Sequence, residues 1–487
     1  MTPEAWIPEG RRPHLGLPLL LCVLALASRA LVCVQTVAPD RDTANYVEMA
    51  RNFRAGEHAQ ALAEVFPPLH PLLWSLVGPI GGTGNEAWWL SGQVLGVLLG
   101  GLSVWLLWKV SALFVTGEKT AWVPAIAATW LALGLLPAWN AADALSEGLF
   151  LVLLCTWMLA WARERMWWMS ILAGLCFLTR PEGAILFGPL SWLYWRSGRP
   201  DAGRGMRALM HAVPVLAAGL VLPLLYLVAR AVVVGEFQVL PVGSFMHELS
   251  LFRESGIPEL VASYFLRLFS FLVQGFDGLG YLAIITVFLA LRGLRSLDAE
   301  QRERILPLVI TAFAACLVVP VFKSNRRFWI SWLPILLPLA ARPIASWCGR
   351  RPRLGMQPRY QIALLVLLFL LPHVVRLPRE RRETLRPEKI IAHHLVDLGA
   401  KRGEIASWLQ RFLFFAEQAP LPPRRASYED FLARAASPSC KHAVFEFGSF
   451  RQDITGWHLE QMGYRRVPPA GILGSRSNPR SLELYSR

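Results

Sequence analysis

Apolar stretches of membrane-spanning length alternate with short polar, arginine-bearing loops from the N-terminus to about Val375, and there the alternation stops. A helix crossing a hydrocarbon core of about 30 Å needs about 20 apolar residues at a rise of about 1.5 Å each. The pattern predicts about eleven such helices. They are Leu15–Val37, Glu86–Phe114, Ala121–Trp139, Ala144–Trp161, the short pair Met166–Leu178 and Gly183–Trp195, Ala208–Val234, Gly280–Leu291, Ile305–Phe322, Phe328–Ala345 and Ile362–Val375. The first is too long for the apolar part of a signal peptide and lacks a small-residue cleavage site. It reads as a retained helix.

Two connections are long enough to hold structure of their own. The first, Ala38 to Asn85, contains a predicted amphipathic helix, Thr43–Arg54, whose Tyr46, Met49, Ala50 and Phe53 form an apolar stripe. The loop from Gly235 to about Val273 holds a predicted interfacial helix at Leu260–Val273. Beyond Arg376 the period changes. Pro387–Leu398 and Tyr428–Ala435 read as helices, while Arg411–Phe415, His442–Phe447 and Ser481–Tyr485 read as short strands. The expected fold is an all-α polytopic membrane unit over residues 1–376, followed by a small soluble α/β domain over residues 377–487. About 110 residues suffice for a domain with its own core.

Composition supports the membrane class, with 54% hydrophobic residues in a chain of 487. A formal net charge of +15 raises the question of nucleic acid. Only six of the 49 basic residues are lysines, however, and the arginines gather in alternate short loops, the pattern of cytoplasmic loops. No basic stripe with interleaved aromatics lies on a soluble segment, so nucleic acid is excluded as a partner. The same rule puts the N-terminus inside, and the first long loop and the tail outside. The tail's basic start conflicts mildly with that side, but long domains cross largely regardless of charge. Of seven cysteines, five sit inside apolar runs, and none shows ligand spacing or a disulfide framework.

Candidate chemistry lies where charge breaks the topology rule. Arg41, Arg180, Lys323, Arg326 and Arg327 are cations on the outer side at span ends. Asp40, Asp42, Asp143, Glu147 and Glu182 share those places, with Asp143 and Glu147 spaced to share one helix face. Ionisable groups at membrane depth are costly and by default suggest function. Such a set suits transfer of a sugar from a lipid phosphate. Fixed guanidinium groups would stabilise the departing phosphate, and a carboxylate would take the acceptor proton. Asp42 reads as that base, its acidity weakened by the like charge of Asp40. It reads equally as the N-cap of the helix that follows. His58, His70 and the His393–His394 pair read as solvated or structural. Two other classes compete: a lipid-linked-sugar flippase or transporter, and a non-catalytic envelope assembly protein.

Several stretches together resemble the polyprenyl-phosphate-dependent glycosyltransferases of the GT-C fold, relatives of the protein O-mannosyltransferases and of the lipid A aminoarabinose transferase. They are Asp42-Thr43-Ala44-Asn45-Tyr46 with Met49 to Phe53, Phe66-Pro67-Pro68-Leu69-His70-Pro71, Ser146-Glu147-Gly148, Leu178-Thr179-Arg180-Pro181-Glu182-Gly183 and Arg327-Phe328-Trp329-Ile330. The likeness covers about residues 15–345. It implies Asp42 as catalytic base and Arg326 or Arg327 on the lipid-linked phosphate. Lys323, Arg180, Glu182, Glu147, Asp143 and Tyr46 would complete the substrate site. It implies an inverting transfer from an undecaprenyl or dolichyl carrier to a glycan, lipid or protein acceptor, at the outer face of a bacterial cytoplasmic (inner) membrane. The Asp-Arg-Asp opening departs from the commoner Asp-Glu or Asp-Ser, which leaves Asp40 and Asp42 both open as the base. Some relatives use a divalent metal and others do not.

Overall fold

The computed structural model describes residues 16–64, 66–115, 120–191, 205–235, 283–322, 331–350, 385–407, 409–418, 428–446, 452–468 and 482–487. It also describes single residues within 262–270, 360–375 and at 329 and 472. Helices make up most of it: α1 (Gly16–Gln35), α2 (Arg41–Ala55), α3 (His58–Ala63), α4 (Leu69–Val77), α5 (Asn85–Ala112), α6 (Val123–Leu133), α7 (Leu135–Ala142), α8 (Glu147–Ala162) and α9 (Met166–Thr179), then α10 (Gly205–Val234), α11 (Ala283–Arg295), α12 (Ala299–Phe322) and α13 (Leu333–Arg350).

Three of these helices, α1, α5 and α10, are long and apolar enough to cross a membrane, and α6 with α7 makes a fourth if the bent pair is one span. Their outward faces carry bare hydrocarbon, with Val34 86% and Val232 80% exposed. Apolar surface so displayed belongs in lipid. The count of eleven is corrected for the described residues. With 16 residues in α8 and 14 in α9, those helices are shorter than the hydrocarbon thickness requires. The expected span Ala121–Trp139 is two helices bent by 44° at Gly134. The expected span Ile362–Val375 and the helix Leu260–Val273 lie mostly outside the described residues.

Close helix crossings are made with small residues, as packing in lipid favours. A Cβ on Gly174 of α9 would strike the Gly219 backbone of α10, and one on Gly219 would strike Ser170. One crossing holds a charge. Arg29 of α1 is 1% exposed, and its guanidinium donates to the carbonyls of Leu131 (3.1 Å) and Ala132 (3.0 Å), the last turn of α6. The Ser28 hydroxyl donates to the same Ala132 carbonyl at 2.8 Å. The bend at Gly134 frees those carbonyls from helical partners, and α1 supplies the missing donors. Gly100 of α5 makes the room, since a Cβ there would collide with the Arg29 side chain. Arg29→Met should therefore lower the thermal midpoint of the detergent-solubilised protein. Each carbonyl left without its donor costs about 1–3 kcal/mol, and Gly100→Ala should act in the same direction.

The C-terminal part adds α14 (Arg386–Asp397), β1 (Ile405–Ser407), α15 (Gln410–Phe415), α16 (Tyr428–Ala436), β2 (His442–Glu446), α17 (Gln452–Gln461), β3 (Arg465–Val467) and β4 (Leu482–Ser486). The strands form a mixed sheet ordered β1-β2-β4-β3, with β1 parallel to β2 and the other pairs antiparallel. The strand expected at Arg411–Phe415 is corrected to a helix. Phe412, Leu413, Phe414 and Phe415 are all buried, and a short continuous apolar run does not distinguish the two periods. This module shares one apolar core with the first loop. Tyr46, Met49, Trp88 and Trp89 cluster with Ile391, Phe412, Phe414 and Leu484. The sheet module and the first loop are therefore on the same side of the membrane helices.

Candidate active site

The site begins at the entry to α2. Pro39 restricts Ala38 before it to extended backbone, and Asp40 follows as the N-cap, with φ −69° and ψ 161°. Its Oδ1 accepts from the Asp42 amide at 3.3 Å. The expectation that Asp42 caps a helix starting at Thr43 is corrected: the helix starts at Arg41, the cap is Asp40, and Asp42 sits in the first turn. A carboxylate there is favoured by the amide dipoles of the helix start. Asp42 and Tyr46, four residues apart, share one face of α2.

That face meets the turn between α7 and α8. Asp143 is 2% exposed and closes α7, and Ala144 after it has a left-handed φ of 53°. The expected shared helix face of Asp143 and Glu147 is thus corrected, because the helix is broken between them. The turn's carbonyls are heavily engaged. Thr43 Oγ1 donates to Asp143 O at 2.6 Å, and Trp89 Nε1 and Gln93 Nε2 each donate to Ala142 O at 2.9 Å. The Tyr46 hydroxyl donates to Ser146 Oγ at 3.2 Å, and its ring packs 4.9 Å from Phe66 and 5.4 Å from His70.

Glu147, next along, opens α8 and is 1% exposed. It pairs with the Arg180 guanidinium, which also binds Glu182 Oε1 at 2.7 Å. Tyr46 thus reaches Ser146, the residue before Glu147, while Glu147, Arg180 and Glu182 form an ion cluster of their own, and Asp40 and Asp42 stand about a turn before Tyr46 on α2. Lys323, Arg326 and Arg327 lie outside the described residues. Among the described residues no group of three or more His, Cys, Asp or Glu side chains is placed to hold a metal ion.

Of the two parts read for His70, solvated or structural, the structure gives it the structural one. It is wholly buried, with Nε2 3.1 Å from the Ala144 carbonyl. That bond makes Nε2 the donor nitrogen of the neutral ring, and among the described residues Nδ1 has no hydrogen-bond partner. Burial pushes its pKa down to about 4 from the ordinary 6.5, only partly opposed by the Ala144 bond. The unfolded chain therefore binds the proton more readily between those values. Stability should be complete above pH 6.5 and decline as the pH falls toward about 4. His70→Phe should flatten that decline in a pH series of thermal unfolding.

No protein-family model and no curated protein matches the chain. Solved structures do. ArnT from Cupriavidus metallidurans bound to undecaprenyl phosphate superposes with a TM-score of 0.61 at 16% identity, over 97% of this chain and 98% of that one. The Archaeoglobus fulgidus oligosaccharyltransferase in complex with zinc and sulfate gives 0.56 at 13% identity, over 88% and 68%. At such identities the likeness speaks for architecture alone, and it spans the membrane helices and the C-terminal module together. The chain has the fold of the GT-C membrane glycosyltransferases.

Proposed function

We propose that this protein is a membrane glycosyltransferase that moves a sugar from a polyprenyl-phosphate donor to an extracytoplasmic acceptor with inversion. The observation that carries the reading is the end-to-end likeness to a structure bound to undecaprenyl phosphate. The acidic entry to α2, whose Tyr46 bonds to Ser146 beside the buried Glu147–Arg180–Glu182 cluster, supports it.

In this reading the Asp42 carboxylate, with Asp40 beside it, accepts the proton of the acceptor hydroxyl. The acceptor oxygen bonds to the anomeric carbon from the side opposite the phosphate. The anomeric C–O bond breaks, its electrons stay on the phosphate oxygen, and the lipid phosphate departs as an anion. One displacement inverts the anomeric centre. Arg326, Arg327 and Lys323 are the cations proposed to meet the phosphate. Arg180 is held between two carboxylates, which fits a scaffold for Ser146 and Tyr46 better than a phosphate ligand. A bacterial cytoplasmic membrane is the proposed location, with the site and the sheet module outside.

The broken α6–α7 helix and the intramembrane Arg29 are features that a transporter would also carry. Arg29, however, directs its donors at the carbonyls of α1 and α6, as a helix cap does. Mass spectrometry of lipids from a deletion strain tests the proposal. One polyprenyl-phosphate sugar should accumulate, and its modified acceptor should disappear. An unchanged lipid-linked sugar pool alongside an intact acceptor set would refute it.

A further inference from the structure

One contact between the C-terminal module and the first loop lands on the acidic turn itself. Arg411, on α15, donates its Nε–H to the Pro39 carbonyl at 2.8 Å. Pro39 immediately precedes the N-cap Asp40, and its φ is fixed by its ring. Ala38 before it is restricted by the proline and fully buried. The remaining soft torsion at this joint is ψ of Pro39, which swings the Asp40 carboxylate and the start of α2. A hydrogen bond on the Pro39 carbonyl holds that torsion.

The element that carries Arg411 is itself well anchored. Phe412, Leu413, Phe414 and Phe415 are buried on α15. Just beyond it, Glu417 accepts from the Asn85 amide at 2.7 Å, serving one of the open donors at the start of α5. Asn85 Nδ2 returns a bond to Phe414 O at 2.8 Å. Further contacts grip α2 and α5 away from the turn: Arg402 pairs with Glu48 at 2.6 Å, and Lys389 pairs with Glu86.

We infer that the C-terminal module is a positioning element for the acidic turn, with Arg411 as the positioning residue that sets the direction of Asp40 and Asp42. The catalytic consequence rests on the functional reading above; the positional one does not. Hydrogen exchange of the full-length protein in detergent tests it, comparing wild type with Arg411→Ala, Arg411→Lys and Lys389→Ala. Loss of the Arg411 bond should speed exchange of the Asp42 and Thr43 amides about tenfold, the equivalent of one hydrogen bond. The sheet and the rest of α2 should stay at wild-type rates. Arg411→Lys keeps the charge and should restore part of the protection, and it carries the test if the alanine variant is not recovered. Lys389→Ala, which loosens docking without touching the turn, should leave the amides of residues 40–46 unchanged.

Unchanged exchange at residues 40–43 in both Arg411 variants would overturn the inference. So would a uniform rise across module and loop, which would mean simple undocking. Turnover of undecaprenyl-phosphate-linked sugars by Arg411→Ala should fall in kcat with KM for the lipid donor nearly unchanged. Local loosening with full turnover would uphold the positioning and count against the role given to the acidic turn.

Discussion

Asp42→Asn is expected to lower turnover by about 10²–10⁴-fold, the usual worth of a positioned general base, while leaving the fold in place. The asparagine keeps the shape of the side chain and gives up the negative charge in the first turn of α2. Its dipole contribution is about 0.3–1 kcal/mol. Asp40→Asn makes the informative contrast. Asparagine caps as well as aspartate, so the bond from the Asp42 amide to residue 40 survives while the neighbouring charge is removed. Its turnover should fall less than that of Asp42→Asn. The check is initial-rate kinetics on both purified variants, alongside thermal unfolding to show that each is folded. If Asp40→Asn is the more damaging, the two carboxylates exchange roles. If neither loses activity, the acidic turn is not the base.

Arg180→Leu is expected to have the largest effect on stability. Arg180 is 6% exposed and Glu147 1%, and Glu182 binds the same guanidinium. Removing the cation leaves carboxylates in a site closed to water, where a broken buried pair costs about 3–5 kcal/mol. Most of that is the penalty of the stranded charge, so Arg180→Leu combined with Glu147→Leu should recover part of the loss. Thermal unfolding of the single and double variants in one detergent makes the comparison. A single variant with a wild-type midpoint would mean that the cluster is solvated.

Much of the fold was legible because lipid imposes a simple rule. Apolar runs located α1, α5 and α10 to within a few residues, and the sites at Asp40–Asp42, Asp143–Glu147 and Arg180–Glu182 stood out as charges at span ends. What stayed hidden depended on tertiary partners. Hydropathy does not register a bend whose freed carbonyls are served by Arg29 from another helix. Nor does it show Ala144 taking a left-handed conformation between Asp143 and Glu147. His70 carries no local signal, since its burial arises from Tyr46, Trp74 and the Ala144 carbonyl. The run at Phe412–Phe415 satisfied both periods, and β1 and β3, at three residues each, are too short to show one. Nothing in the sequence sets Arg411 apart from the other basic residues of the tail, and only the fold brings it to the Pro39 carbonyl.

The proposed reaction breaks a sugar–phosphate bond, and lipid phosphate release measures this directly. The purified protein in nanodiscs would be given a panel of undecaprenyl-phosphate sugars with an extract of envelope acceptors, and free undecaprenyl phosphate would be quantified by mass spectrometry. One donor should yield free undecaprenyl phosphate in step with glycosylated acceptor, and Asp42→Asn should abolish most of both. Sugar-carrying lipid that crosses a proteoliposome bilayer intact, with no phosphate freed from any donor, would contradict it.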